Sequence, residues 1–422
     1  MMVFKSSYDM TANLYNGKTK EKTISFYCIA LLFFLIFFGG ELLGITLGTI
    51  TFSYYRIALT IIFICLLFSQ KLSHYNLLKL PPMIYCVVLW AIVTLFQALL
   101  WGIDAYVLKN ILLLWMIAAF MLLSVVLIDT QKKLNCIFKV MAFAIFIQLI
   151  LCLYEMFTGN YFNLSGKNLI HYTVNKNIFG LYIPITYFGN PNNTAVFCFI
   201  ANFVFLYLAR TANKKINLYW FGVLLNLFIW IGTGSRAGYL TIFVFYIVYF
   251  ILFFPKRINL VLLFIAFMAA LILGIIYISH IEIKGNSSDS IRLNLLINGI
   301  DILINKTYFL GVGIGNIENF MQNYTNTNGI INMHNWVFEV LVGGGVFVFA
   351  VYFIIYIKMI FDLYKLQGNN KRKNIFSRMS IAFLIGFIVS SIGPSSMIGF
   401  EFWWAIFAII NVCMKLFKES KI

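Results

Sequence analysis

Charged residues are scarce in this chain. Only 11% of its 422 residues are Asp, Glu, Lys or Arg, whereas a soluble domain carries about 25%. Hydrophobic residues make up 62% of the sequence, and the mean hydropathy is +0.91. Folded soluble proteins cover themselves with polar groups, so this composition excludes a soluble globular protein and predicts one that is embedded in a membrane.

Several signatures of nucleotide and metal sites are also missing. The sequence has no Walker phosphate-binding loop, no GxGxxG segment and no zinc-ligand spacing. It lacks the DxD pair with which nucleotide-sugar transferases hold a metal on a diphosphate. Its seven cysteines form no CxxC pair and lie inside or beside apolar runs, which favours buried apolar residues over disulfides. We therefore expect neither a metal site nor a cofactor.

The net charge of +17 comes from 31 Lys and Arg against 14 Asp and Glu. These cations stand in short clusters between apolar runs, which is the pattern of membrane topology. Nucleic-acid binding requires a concentrated basic surface or a binding module. We therefore expect no nucleic-acid partner.

Apolar runs that can cross the hydrocarbon core recur along the whole chain. They predict an all-α polytopic membrane protein with about twelve transmembrane helices. The predicted spans lie near residues 24–39, 52–69, 82–101, 108–128, 135–158, 191–209, 217–233, 237–254, 258–279, 335–361, 376–392 and 397–414.

The distribution of Lys and Arg predicts the orientation of these spans. If the amino terminus is cytoplasmic, the cytoplasmic segments hold all the cations except Arg56, Lys109, Lys167, Lys176, Arg236, Lys284, Arg292 and Lys306. We predict a cytoplasmic tail at 1–23, a single transmembrane domain at 24–417 and a cytoplasmic tail at 418–422. The domain carries outer loops at about 159–190 and 280–334, long enough to be functional.

The second outer loop has two local features. Apolar residues at helical spacing from Ile291 to Ile304 predict an amphipathic helix on the outer leaflet. The glycines at 311, 313 and 315 follow it, and we interpret them as a flexible turn.

Two arginines on the predicted outer face are not explained by topology. Arg236 lies between two apolar runs, where an interface anchor or a turn residue is the simple alternative. Arg292 opens the amphipathic segment, where a solvated loop residue is the alternative. Because guanidinium matches phosphate oxygens bidentately, two of them can hold a diphosphate without metal.

His334 begins a predicted span on the same outer face. A lone histidine is often structural, but an imidazole at a helix entry titrates in the range suited to a general base. Asn335 and Glu339 lie nearby in the sequence and could orient it. The candidate site therefore comprises His334 as base and Arg236, Arg292, Asn335 and Glu339 as substrate-binding residues.

Four segments around these residues resemble motifs of the O-antigen ligase and polymerase superfamily. They are NPNNTAVF from Asn190, TGSRAGYL around Arg236, Arg292 followed by an apolar helix and LGVGIGN, and MHNWVFEVLVGGGVF around His334. The order, spacing and shared face of these segments make the resemblance more specific than any one of them. It covers about residues 190–350.

The resemblance implies a GT-C-like glycosyltransferase of the bacterial plasma membrane that builds surface polysaccharide such as capsule. Its donor would be an undecaprenyl-diphosphate-linked oligosaccharide and its acceptor a glycan or lipid. Arg236 and Arg292 would bind the diphosphate, His334 would act as base, and the anomeric carbon would be inverted.

The resemblance leaves two enzymatic functions open. The ligase branch has Gly, Thr or Tyr three residues after the glycine that matches Gly345, where this chain has Val348. That departure and the modest outer loops favour a polymerase of lipid-linked repeat units over a ligase. Outside this class, a lipid-linked sugar transporter requires cations at midplane depth, and a structural envelope partner predicts that the arginines tolerate Lys.

Overall fold

Helices dominate the fold of this protein. The computed structural model describes residues 24–39, 43–47, 50–68, 80–162, 176–212, 214, 216–254, 288–368, 370–394, 396 and 398–419. Its helices are α1 (Ile24–Leu35), α2 (Tyr54–Phe68), α3 (Pro82–Trp101), α4 (Ala105–Leu127), α5 (Gln131–Thr158), α6 (Pro191–Thr211), α7 (Leu218–Gly232), α8 (Arg236–Phe253), α9 (Ser288–Asp301), α10 (Ile317–Met321), α11 (Trp336–Lys365), α12 (Lys371–Ser390) and α13 (Phe402–Glu419).

Seven of the helices in the described part of the chain are long and apolar enough to cross a membrane. The chain is thus a polytopic helical membrane protein. The predicted spans coincide with described helices except the span at 258–279, which lies outside the described residues, as do the tail at 1–23 and most of the tail at 418–422. The count of twelve spans and their orientation stay predictions.

Polar residues fix where several helices begin. Asp104, Thr130, Asn190, Asn217 and Asn370 each precede a helix and accept hydrogen bonds from backbone amides of its first turn. Such caps satisfy amides that have no partner within the helix. The polar residues between the apolar runs therefore set the helix starts.

A short β-hairpin departs from the all-α prediction. Strand β1 (Gly44–Leu47) pairs antiparallel with β2 (Ile50–Ser53), with Gly44 opposite Ser53. The hairpin precedes α2 directly and contains β-branched Ile and Thr, which favour strands. Long apolar runs do not predict this segment, because each of its strands is too short to cross a bilayer.

Helix α6 forms the centre of the bundle. In its most apolar stretch, 89% of the residues are buried, compared with 22% for α8. Helix α6 contacts α5, α7, α8, α12 and α13, while α11 packs against α3 on one side and α12 on the other. This arrangement places α11 between the α3–α4 pair and the α8–α12 pair.

The predicted amphipathic helix is confirmed as a helix. It covers α9 and ends in a π-helical turn at Ile302–Lys306. One side contacts α11. The opposite side exposes Leu293, Ile297, Ile300 and Ile304 at helical spacing, which is the surface an interfacial helix presents to lipid.

Helix α11 is broken at Gly345, where φ is 74° and ψ is 173°. The break frees carbonyls that would otherwise accept hydrogen bonds within the helix. The carbonyls of Val342 and Gly343 accept instead from the amides of Val312 (3.0 Å) and Gly313 (2.9 Å). An extended segment thus pairs with the backbone of the broken helix.

Gly311 and Gly313 belong to this extended segment, and Gly315 lies in a turn that the Asn316 amide closes by donating to the Gly313 carbonyl at 3.1 Å. The predicted turn is therefore present, and its flexibility stays a prediction. All three glycines have positive φ and are buried. A Cβ on Gly311 would lie 2.3 Å from the amide nitrogen of Gly345. Trp101 Nε1 also donates to the Gly311 carbonyl at 3.0 Å, so glycine permits close backbone packing here.

Candidate functional site

The candidate site lies at the end of the bundle where α8 and α11 begin and α12 ends, here called the His334 end. The His334 backbone is left-handed, with φ of 51°. The carbonyls of Gly393 and Pro394 accept hydrogen bonds from its imidazole. Its Nδ1 is buried and has no hydrogen-bond partner among the described residues. A neutral imidazole keeps one nitrogen whose lone pair can accept a proton.

The surroundings of His334 favour the neutral imidazole. Burial lowers its pKa, and the positive charge of Arg292 lowers it further, while the two carbonyls partly oppose this. Because the net direction is below the ordinary value of about 6.5, the ring is neutral at physiological pH. A neutral imidazole is the form that acts as a base.

Arg292 is the second predicted residue at this end. It lies in the first turns of α9, is half-buried, and acts electrostatically on His334. Two residues from separate motifs of the sequence thus come within electrostatic range of each other. Their catalytic and binding roles stay predictions.

Arg236 is the first residue of α8, after a tight turn that links α7 to α8. Ser235 caps the helix by accepting from the Gly238 amide at 3.0 Å. The Ser235 hydroxyl also donates to Asn192 Oδ1 at 2.6 Å. The Arg236 side chain is exposed. The NPNN and TGSR motifs are therefore in direct contact.

Gly393 joins these two motifs to His334. A Cβ on Gly393 would lie 3.2 Å from the Cβ of Ala237 and 3.4 Å from the Cβ of Asn192. The Gly393 carbonyl binds the His334 imidazole. The connection between α12 and α13 therefore brings together segments that lie up to 200 residues apart.

Asn335 and Glu339 contribute differently from what the sequence suggested. Asn335 caps α11 and accepts from the Phe338 amide at 3.3 Å. Glu339 is 5% exposed and accepts a hydrogen bond from Ser396, in the α12–α13 connection. The hydrogen bonds that orient the imidazole come from Gly393 and Pro394. Substrate binding by Asn335 and Glu339 stays a prediction.

A cluster of tryptophans supports the start of α11. The Trp336 ring lies 5.4 Å from that of Trp90 and 5.8 Å from that of Trp404, centroid to centroid. Its amide donates to the Ser391 carbonyl at 3.0 Å. These contacts tie α11 to α3, α13 and the end of α12, and so fix the backbone that carries His334.

Sequence reasoning missed the α12–α13 connection as part of the site. Its contribution comes from backbone carbonyls, which every residue type has, and only the Gly-Pro pair at 393–394 marked a turn there. In the described residues, no group of three or more His, Cys, Asp and Glu could hold a metal ion. The expectation of a metal-free site stays a prediction.

The comparisons with known proteins agree with the resemblance. Residues 221–353 match the family model for O-antigen ligase, a stretch that includes Arg236, Arg292 and His334. The chain is also similar to the teichuronic acid biosynthesis protein TuaE of Bacillus subtilis (strain 168). The two are 25% identical over 349 residues, which cover 77% of this chain and 70% of that protein. Both comparisons support a relation to proteins of the O-antigen ligase and polymerase type.

Proposed function

We propose that this membrane protein, which carries an O-antigen ligase domain, is a glycosyltransferase of surface polysaccharide assembly. It polymerises undecaprenyl-diphosphate-linked repeat units on the outer face of the bacterial plasma membrane, with both termini in the cytoplasm. The observation that carries the proposal is the position of His334 beside Arg292 and next to the Arg236 turn.

The arrangement supports a single displacement. The His334 imidazole takes the proton of the acceptor hydroxyl, whose oxygen bonds to the anomeric carbon of the donor sugar. The bond from that carbon to the diphosphate oxygen breaks, and undecaprenyl diphosphate leaves. Arg236 and Arg292 stabilise the charge that develops on the diphosphate. The anomeric configuration inverts because one displacement occurs.

The positions of the arginines favour an enzyme over a transporter. Arg236 begins α8 and Arg292 lies near the start of α9. Both therefore stand at helix ends, whereas a transporter of anionic lipid needs cations at the midplane. Polymerase is preferred over ligase on the sequence departure at Val348, which is fully buried next to Gly344.

The first test is transfer by the purified protein with synthetic undecaprenyl-diphosphate repeat units, with and without chelator. We expect the wild type to form polymer in both conditions. Loss of the base in His334→Ala should slow transfer by roughly 10²–10⁴-fold. Arg292→Lys keeps the charge but loses the bidentate fork, so transfer should also fall. Lys306→Gln, an exposed cation of the same loop, is the matched control.

Each other outcome has a defined meaning. Consumption of the donor only when a different acceptor is added identifies a ligase. Full activity of His334→Ala would contradict the assignment of the base. If no donor is consumed while both variants complement a deletion strain, the protein is not a glycosyltransferase and transport becomes the leading function.

A further inference from the structure

A large cavity lies beside the candidate site. Its volume is about 1320 Å³, and it is bordered by α2, α3, α4, the end of the α1 segment and the start of α13. Apolar side chains line most of it, including Phe63, Ile84, Leu112 and Ala119. Cavities that take drug-sized ligands measure about 300–1,000 Å³, so this one fits a larger molecule.

Charged residues stand at one end of the cavity. Arg56 lies near the start of α2, Lys109 near the start of α4, and Glu401 directly before α13. Arg56 Nε and Glu401 Oε1 form an ion pair at 2.5 Å, with 20% and 15% of the side chains exposed. Among the lining residues, two cations stand against one carboxylate. Glu318 also acts on Lys109 from outside the lining, but burial raises its pKa and so favours its neutral form, which leaves this end net positive. An anionic group therefore fits there.

The apolar part runs through most of the depth of a membrane. Its lining on α4 extends from Ala105 to Leu122, which is about 25 Å of helix. Leu80 and Ile84, near the start of the antiparallel α3, line the far end. The hydrocarbon core of a bilayer is about 30 Å thick. A long hydrocarbon chain can therefore lie in the cavity with its charged head at Arg56 and Lys109.

The charged end of the cavity is the His334 end. The connection between α12 and α13 borders both places, because Gly393 and Pro394 bind His334 while Gly399 to Phe402 line the cavity. Four residues lie between Pro394 and Gly399, so the two are at most about 18 Å apart. An oligosaccharide attached to a headgroup at Arg56 can therefore extend toward His334.

We propose that this cavity binds the acceptor, a second lipid-linked glycan, with its polyprenyl chain along α2, α3 and α4 and its phosphate groups at Arg56 and Lys109. The proposal rests on the proposed glycosyltransferase function and names where its acceptor lies. It gives a role to two cations that the candidate site does not use.

The order of the helices assigns the cavity to the acceptor rather than the donor. Helix α11, which begins beside His334, packs against α3 on one side and against α12 on the other. Helix α12 packs against α8, which begins with Arg236, while α3 borders the cavity. An inverting displacement needs the nucleophile opposite the leaving group. With the donor diphosphate at Arg236 and Arg292, the acceptor approaches from the cavity side.

The ion pair with Glu401 fits this role. It holds the guanidinium in place through Nε, one of the five N–H donors of arginine. Oxygens of a phosphate group can accept hydrogen bonds from the remaining N–H groups of the guanidinium. Lys109 acts as a flexible point charge beside it.

The test measures tail binding and acceptor use separately in the full-length protein in lipid nanodiscs. A diazirine-bearing undecaprenyl diphosphate is photo-crosslinked to the wild type, and the adducts are mapped by mass spectrometry. We expect adducts on α2 and α4, and their loss in Ala119→Trp, where an indole fills the apolar lining. Leu224→Trp, an exposed position on α7 far from the cavity, is the matched control. Adducts that avoid α2, α3 and α4 would overturn the proposal.

Acceptor use is measured with a fixed lipid-linked donor and two acceptors, one on an undecaprenyl chain and one a free glycan. Ala119→Trp and Lys109→Gln should each raise the KM for the lipid-linked acceptor by about tenfold, the effect of losing one charge-assisted contact or its equivalent. In these two variants, transfer to the free glycan should stay unchanged. In Lys306→Gln, transfer to either acceptor should stay unchanged. Equal loss with both acceptors would assign the cavity to the donor and overturn the proposal. No transfer by the wild type, with α2 and α4 adducts present, would reject the glycosyltransferase function and leave the lipid site standing.

Discussion

At the scale of single residues, the candidate site depends on the local setting of one histidine. The backbone of His334 is left-handed, a conformation that costs most residues energy but in which His is enriched. The carbonyls of Gly393 and Pro394 hold the imidazole against the α12–α13 connection. The strained backbone conformation thus occurs at the residue proposed as the base.

The protonation of His334 gives a prediction about pH. Its pKa is lowered by burial and by Arg292. Activity that needs the neutral ring should therefore stay level from pH 8 to below about 6.5 and fall only in more acidic solution. Removal of the positive charge in Arg292→Gln should raise the pKa and move the acid limb of kcat/KM to higher pH. An acid limb that does not move would contradict the coupling between the two residues.

The sequence could predict the ionisable side chains of the site and not the backbone groups. Arg236, Arg292 and His334 stand out because ionisable residues are rare in an apolar chain and demand a reason. Gly393 and Pro394 act through backbone carbonyls, and their partner is fixed only when α12 and α13 pack. Arg56 and Lys109 were visible as unexplained cations, but only the packing of α2 against α4 shows the cavity between them.

At the scale of elements, the break in α11 joins the helix that follows His334 to the segment that follows α9. Around Gly345 the backbone does not form the regular hydrogen bonds of a helix. Its amides and carbonyls instead form hydrogen bonds with the backbone of residues 309–313. Gln97 Nε2 also donates to the Leu310 carbonyl at 2.6 Å. Helix α9 carries Arg292, and the segment that follows α9 is thereby attached to the helix that follows His334. The break couples the two motifs structurally.

Substitution of Gly345 tests this coupling. In Gly345→Ala, the Cβ would lie 2.2 Å from the Leu310 carbonyl oxygen at a φ of 74°. Backbone clash and left-handed strain together should lower the free energy of unfolding by about 2 kcal/mol or more. Gly180→Ala is the matched control, since its φ is 72° and nothing lies within 4 Å. It should cost only about 1 kcal/mol.

Unfolding of both variants in the same detergent, followed by thermal or SDS titration, measures the difference. Equal losses of unfolding free energy in the two variants would show that the close backbone contact at Gly345 does not contribute to stability. The sequence could not predict this break, because the run of glycines at 343–345 is equally compatible with a continuous membrane helix. The decisive partner, Leu310, lies 35 residues earlier in the chain.

At the scale of the whole molecule, the apolar runs predicted most of the helices within a few residues. This succeeded because a membrane helix must satisfy all its backbone hydrogen bonds internally, which imposes a minimum length. The same argument does not predict the hairpin at Gly44–Ser53, because strand pairing depends on a partner strand and not on length. The orientation of the helices in the membrane is inferred only from the distribution of Lys and Arg, and it remains a prediction.

Cysteine labelling in cells tests the orientation. In a background without the seven native cysteines, Lys306→Cys and Lys371→Cys place single thiols at exposed positions at opposite ends of α11. A membrane-impermeant maleimide should label position 306 in intact cells, and position 371 only after permeabilisation. The reverse pattern would place the His334 end in the cytoplasm and contradict the proposed site of synthesis.

The break at Gly345 changes how scanning mutagenesis of α11 must be interpreted. Before it, the buried residues include Trp336, Glu339, Val340 and Gly343; after it, they are Val348, Tyr352, Tyr356, Met359 and Leu363. On one continuous helical wheel at 100° per residue, these two stripes are centred roughly 170° apart. Such a wheel assigns the helix no lipid-facing side, although Phe347, Ile354 and Phe361 are exposed. Two separate wheels, one for each side of the glycine, give the correct face to every position.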